Sequence, residues 1–478
     1  MPFVRHAGVA LTILCLTATS MGAAATQPAD TTGAPGAGDP YFPRFGNGGY
    51  DVGHYGLFID YDPATERVVG DARIRARATQ RLTSFNLDLQ LDPSTVRVAG
   101  AAAAFERHGR ELVITPRHAL RKGERFRVRV RYAGKPAQIE TGGIGAWFET
   151  SDGAVVVGEP EAATVWYPSN DHPSDKASFD VTVRTERGID VVSNGRLVGR
   201  RSVGGGQAVW HWRETSPMAT YLAYLALGDF TFERGRTPGG VPYLYAISDH
   251  LGRVRENAIR SLRASAEIVD FFARRFGAYP FSVTGGTLVN SEFDFALETQ
   301  TRPVYSKVFF GHQNTEIIAH ELAHQWFGDD VSVRRWRDIW LNEGFATWAE
   351  WFFAEHRGGV SAAREFAGTY RSLRWYRDFW RVAVGDPGPR RLFDEAVYVR
   401  GAMAVQALRT LVGKRDFLTV LRSWVRSRGG GNGDTGDFVR LTERISGVSL
   451  GQWRSAWLAS RHRPAVSRAH GFPRFMLR

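Results

Sequence analysis

The stretch His320-Glu-Leu-Ala-His-Gln-Trp-Phe-Gly-Asp-Asp330, HELAHQWFGDD, sets two histidines four residues apart with a glutamate beside the first. On a helix, residues i and i+4 project from one face, so His320 and His324 can share a cation while Glu321 stands next to it. Two histidines on the outer face of an amphipathic helix would give the same pattern, so the residues downstream decide. Eighteen residues separate His324 from Glu343 in DIWLNEGFATWAEWFF, 338–353, which reads as a second helix able to bring a carboxylate across. Two imidazoles, one carboxylate and a fourth position left open form the ligand set of a catalytic zinc ion, one per chain. Such an ion acidifies water and polarises a carbonyl. Glu321 is then placed to take a proton from the water and return it to a leaving amine. Asp329 and Asp338 are candidates to orient the imidazoles from behind, with surface or capping roles open for each.

Outward from this stretch the chain changes character twice. It has 478 residues, 43% of them hydrophobic and 23% charged, enough apolar content for a large core and too much for wholesale disorder. Residues 1–25 carry Arg5, an apolar run VALTILCL at 9–16 and the small residues Ala23, Ala24 and Ala25. They read as a signal peptide cleaved near Ala25, which predicts a secreted or periplasmic protein. The apolar run is too short to span a membrane. The single cysteine, Cys15, lies within it, so the mature chain is expected to have neither thiol nor disulfide. Residues 26–40, TQPADTTGAPGAGDP, read as a flexible linker.

From 41 to 235 the signal is strands. ARIRARA at 72–78, RFRVRVRY at 125–132 and SFDVTVRT at 178–185 alternate apolar and polar residues, the mark of an antiparallel β-rich domain with one wet face. From 236 to 478 helical periodicity takes over, at 253–277, 315–327, 341–357, 398–412 and 415–427. Gly277, Gly328, Gly358 and Gly413 stand where helices should stop. No internal repeat is visible. The formal net charge is +12, almost all of it from arginine. One stripe, Arg371, Arg374, Arg377 and Arg381 with Trp375, Phe379 and Trp380, reads first as a solvated helix face and second as an anion-binding surface.

The motifs together resemble the gluzincin zinc aminopeptidases, the family typified by alanyl aminopeptidase. The resemblance covers most of the mature chain and implies a thermolysin-like catalytic domain, zinc, and peptides with free amino termini as substrates. FALETQTRPVYS at 295–306 is similar to the family's Gly-x-Met-Glu-Asn segment, which assigns Glu298 to the substrate's ammonium; Phe295, Leu297 and Thr299 depart from the pattern. GEPEAATVWYPSNDHP at 158–173 resembles the segment through which the β-domain contributes Glu159 to the same group. Thr164 stands there where many relatives carry arginine. AVYVRGAMA at 396–404 resembles the family's Tyr-x-Lys-Gly element, making Tyr398 a donor to the oxyanion, with Arg400 in place of lysine. The family also implies that substrate backbone pairs with an edge strand near Ala296 and Leu297.

Two ionised carboxylates one residue from the scissile carbonyl would hold an ammonium through charge-assisted hydrogen bonds and close the cleft to internal segments. The expected function is therefore an exported aminopeptidase. A secreted endopeptidase with the same zinc triad is the nearest alternative, and a non-catalytic polyanion-binding protein a remote one. Hydrolysis of a non-peptide substrate such as an epoxide, known in one branch of the family, is favoured by none of these motifs. No nucleic-acid partner and no membrane insertion are expected, and the sequence leaves the oligomeric state open. About 80 residues follow Tyr398. Many relatives continue there into a large helical domain, so a more open cleft is expected here.

Overall fold

The computed structural model describes residues 31–477; the expected signal peptide lies outside the described residues. Two halves stand out. In the first, the wet-face alternation produces long amphipathic strands. Along Arg67–Ala78, Val68, Ala72, Ile74, Ala76 and Ala78 are buried while the intervening arginines face solvent. Eight strands hydrogen-bond in the order Arg196–Val203, Gln207–Met218, Ala177–Glu186, Tyr50–Asp62, Arg67–Ala78, Arg125–Gly134, Asp92–Val98, Ala101–Ala102. One junction departs from the antiparallel expectation: Tyr50–Asp62 and Ala177–Glu186 run parallel, His54 opposite Ser178. The chain between them is long enough to build its own three-stranded sheet, so it returns in the same direction. A four-stranded sheet contains Gly153–Glu159, whose last residue is one of the expected ammonium ligands.

The second half combines a five-stranded sheet with helices. Its strand order is Phe230–Arg236, Pro242–Ser248, Thr284–Val289, Val304–Ser306, Ala296–Leu297. The expected boundary at 235/236 therefore falls several residues late. Phe230–Arg236 pairs residue for residue with Pro242–Ser248 and belongs with the catalytic half. The helices fall near their expected places: Thr315–His324, Trp340–His356, Glu395–Val412 and Lys414–Arg428. The expected helix at 253–277 is two, Arg255–Arg263 and Ser265–Phe276, ending at Gly277 with φ +121°. The arginine stripe does not lie on one helix. Ala362–Ser372 gives way to a tight turn and a short helix, Arg377–Trp380, with Phe379 and Trp380 buried and Trp375 80% exposed.

Residues 31–40 are not the free linker expected of them. Thr32 bridges to Ser84, and buried Asp39 accepts the Trp336 amide at 2.8 Å and faces His172 at 3.3 Å. A single carboxylate thus ties the amino-terminal segment to both halves. A second polar knot lies behind Glu159. Arg110 reaches Glu161 at 3.0 Å, Asp88 at 3.3 Å and Asp171 at 3.5 Å, and Thr164 donates to Glu161 at 3.0 Å. The arginine missing at 164 is replaced by one from the distant turn between Ala104–His108 and Glu111–Thr115.

Burial pushes the carboxyls of Asp88 and Asp171 up to about 7, against the pull of Arg110. For a carboxyl raised in the fold, the stabilising contribution is complete below the unfolded value near 4 and is lost as pH rises through 7. Urea unfolding should therefore show stability falling between about pH 4 and pH 7. Asp171→Asn should flatten that fall and match or exceed the parent at pH 8; an unchanged slope would show that Asp171 does not titrate there.

Candidate active site

Asn314 caps the helix Thr315–His324 by accepting the Ile317 amide. The helix then carries His320 and His324 on one buried face. Glu343 comes from the first turn of Trp340–His356. Its Oε2 lies 3.3 Å from Nε2 of His320 and 3.4 Å from Nε2 of His324. All three donor atoms fall within 4.8 Å of one another. The other imidazole nitrogens are already engaged: Nδ1 of His320 lies 2.6 Å from Glu350 and Nδ1 of His324 lies 3.1 Å from the Phe327 carbonyl. With Nδ1 donating in both rings, each Nε2 keeps a lone pair aimed at the common point. Burial works against ionisation of Glu343, yet the two imidazoles hold its pKa well below the usual carboxylate range. The donor set fits a zinc ion.

Glu159 and Glu298 converge on the same crevice. One oxygen from each lies within 4.8 Å of Glu343, and Glu298 and Glu321 are within the same distance of His324. The convergence joins both halves of the molecule, since Glu159 ends a strand of the first and Glu298 belongs to the second. Both are at most 3% exposed. Burial, and for Glu159 repulsion from Glu298, pushes their carboxyls above the ordinary range. Burial raises Glu321 as well, against the pull of the imidazoles. Four carboxylates in one desolvated crevice need positive charge, which a divalent cation and an ammonium together supply. Glu159 Oε1 is buried with no hydrogen-bond partner among the described residues, as an ammonium acceptor would be.

Ala296–Leu297 is the terminal strand of its sheet, paired on one side with Val304–Ser306 and leaving its other edge for a further strand. Half-buried Tyr398 stacks over His320, centroids 6.0 Å apart. Arg400 points away from the crevice. Its guanidinium is fully buried and donates to the carbonyls of Trp380, Val382, Ala456 and Ser460, anchoring the Tyr398 helix to the carboxy-terminal segment.

Neither Asp329 nor Asp338 orients an imidazole. Asp329 accepts from Gln325 at 2.8 Å, and Gln325 in turn holds the Glu298 carbonyl and the Thr301 amide, so Asp329 steadies the turn that carries Glu298. Asp338 is engaged by Thr435, on a distant helix. The residue behind His320 is Glu350, seven positions beyond Glu343. Two helical turns return it to the same face, a spacing visible in the sequence. Tyr221, which donates to Glu298 at 3.3 Å, carried no such signal.

The helices bearing Glu343 and Tyr398 cross glycine on glycine. A Cβ at Gly344 would lie 2.9 Å from the Gly401 backbone, and one at Gly401 would lie 2.9 Å from Cα of Gly344. This contact sets the separation of the third ligand and the phenol.

The profile of the Peptidase M1 N-terminal domain matches residues 52–222, and that of the Peptidase family M1 domain residues 301–457. The leucyl aminopeptidase of Saccharolobus solfataricus is 27% identical over 70% of this chain and 45% of its own length. Human endoplasmic reticulum aminopeptidase 2 is 28% identical over 76% of this chain and 42% of its own. The chain thus spans about half the length of the curated relatives it matches. A two-domain form is closer in size: the M1 zinc metallopeptidase of Deinococcus radiodurans, solved with a Tyr-Ser-Ala substrate, superposes with TM-score 0.80 at 27% identity, covering 90% of this chain and 99% of that one.

Glu350→Gln should weaken zinc affinity by about 10–100-fold in chelator competition, the usual effect of losing the group behind a ligand histidine; Asp329→Asn should leave it within about twofold. Gly401→Ala should cost about 1–3 kcal/mol in urea unfolding by forcing the helices apart, and should lower turnover in the folded fraction.

Proposed function

Because the chain belongs to peptidase family M1, we propose that it is a zinc-dependent aminopeptidase that removes residues one at a time from the free amino terminus of peptides. The observation that carries this reading is the placement of Glu159 and Glu298 beside the three-ligand point formed by His320, His324 and Glu343. When bound there, zinc supplies Lewis-acid polarisation of the scissile carbonyl and lowers the pKa of an attacking water. Glu321 takes the proton from that water and passes it to the departing nitrogen, a shuttle its position next to both imidazoles allows. Glu159 and Glu298 accept the substrate's ammonium, which fixes the first peptide bond at the reacting position. Tyr221 keeps Glu298 in place from behind. Tyr398 donates to the carbonyl oxygen as negative charge develops, a contact of the kind worth about 3–4 kcal/mol in the transition state. The open edge of Ala296–Leu297 pairs with the substrate backbone, giving affinity that does not depend on side chains.

The reading includes export. Residues 1–25 have the charge, apolar run and small residues of a signal peptide, and no helix among the described residues is long and apolar enough to cross a membrane. Edman sequencing of protein recovered outside the cytoplasm should begin near Thr26; a mature chain still starting at Met1 would remove this part.

The experiment for the activity is a panel of aminoacyl anilides beside the same peptides N-acetylated, with parent and Glu298→Ala. The parent should turn over only the free-amine series. Glu298→Ala should lose at least about 10–100-fold in kcat/KM, the effect of removing one charge-assisted partner, while zinc content stays the same. Hydrolysis of the acetylated series at comparable rates would instead make the protein an endopeptidase.

A further inference from the structure

The wet face of the eight-stranded sheet is not uniformly charged. Toward one side its arginines are neutralised: Arg184 pairs with Asp60, Arg129 with Asp71, and Arg213 and His211 share Asp180. Farther along the face, Arg75 and Arg77 on Arg67–Ala78, Arg125 and Arg127 on Arg125–Gly134 and Arg97 on Asp92–Val98 are not. Registration sets Arg73 opposite Arg129, Arg75 opposite Arg127 and Arg77 opposite Arg125. Arg97 on the next strand faces Arg129 from its other side. Like charges directly opposite on a sheet repel; Asp71 offsets this in the row of Arg73 and Arg129, and the next two rows, Arg75 with Arg127 and Arg77 with Arg125, have no such offset. The side chains of Arg75, Arg125 and Arg127 have no hydrogen bond or ion pair with any described residue. Two others are held in place by main chain, Arg77 by the Gly123 carbonyl at 3.3 Å and Arg97 by the Gly100 carbonyl at 2.9 Å.

These side chains wall an open trough of about 1140 Å³ lined by seven arginines and one acidic residue, Asp51; Asp71, outside the lining, pairs with Arg129 and approaches Arg73 at 4.0 Å, which leaves the other five without an acidic partner. Gly53 and Gly100 leave it wide at two points on its margin. Neighbouring strands lie about 4.8 Å apart, and successive residues on one face lie about 6.7 Å apart along a strand. The guanidinium rows therefore form a ladder with a rung roughly every 7 Å. Arginine forks bind phosphate oxygens in pairs. A linear polymer with one phosphodiester per repeat can lay successive charges on successive rungs. The lining lacks the stacking platform that a single-stranded nucleic acid uses: its two rings, Phe126 and His54, are 4% and 15% exposed.

We propose that this trough is a docking site for a flexible polyol-phosphate polymer, a phosphodiester chain without bases, separate from the peptidase crevice and independent of its chemistry. Binding replaces the arginine–arginine repulsion with phosphate contacts and releases counterions, so it is salt-dependent.

The test uses the full chain and fluorescently labelled poly(glycerol phosphate), read by anisotropy across a salt series. The parent should bind, with affinity falling as salt rises. Arg75→Gln, Arg125→Gln and Arg127→Gln combined should weaken binding at least tenfold. They should also lower the log–log salt slope by about two, three single-strand phosphate contacts being lost. The same triple variant should keep full activity on an aminoacyl anilide, and its melting temperature should not fall, since repulsion has been relieved. A control with equal charge loss, Arg371→Gln, Arg374→Gln and Arg377→Gln, should bind like the parent. Equal weakening in both triple variants would reduce the effect to diffuse net charge and overturn the proposal. So would tighter binding of oligothymidylate, binding only to phosphatidylglycerol-containing vesicles, or no binding by the parent at low salt.

Discussion

Mutual repulsion among four carboxylates in one buried crevice is the constraint around which this molecule is organised. Glu159, Glu298, Glu321 and Glu343 crowd two imidazoles with almost no solvent between them. Such a cluster is costly unless cations complete it. That requirement explains why three of the four are held from outside: Glu343 by the imidazoles, Glu298 by Tyr221 and the Gln325 turn, and the Glu159 segment by the nearby Arg110 knot. It also explains why both halves must be present. The crevice has one acidic wall from each, Glu159 from the first and Glu298 from the second, so neither half alone could form it.

Much of this was legible in the residues. The i, i+4 histidines and the downstream Glu343 follow from helical geometry, and strand alternation separated the β-half from the helical half. Glu298, Glu159 and Tyr398 were legible only as members of recognisable segments, because nothing in a lone glutamate or tyrosine announces a long-range partner. Glu350 could have been read from its two-turn offset. Asp329 and Asp338 drew attention instead because acidity next to a motif is conspicuous in sequence, while their true partners, Gln325 and Thr435, depend on how turns and distant helices fold back.

The remaining differences share one cause, that contacts between distant segments override local composition. Residues 31–40 have the composition of a linker, yet Asp39 finds a buried amide and a histidine and the segment is fixed. Phe230–Arg236 looks like one more strand of the β-half, yet its partner follows it in the chain and draws it into the catalytic sheet. Thr164 suggested a missing ion pair, and Arg110, more than fifty positions upstream, makes it. In each case the fold supplied a partner that local composition did not show.

The contact of Gly344 with Gly401 places Glu343 and Tyr398 on two rods sharing one fulcrum. Thickening that fulcrum would move both at once, with no way to correct one without disturbing the other. The crossing point itself must stay as bare as a polypeptide can be.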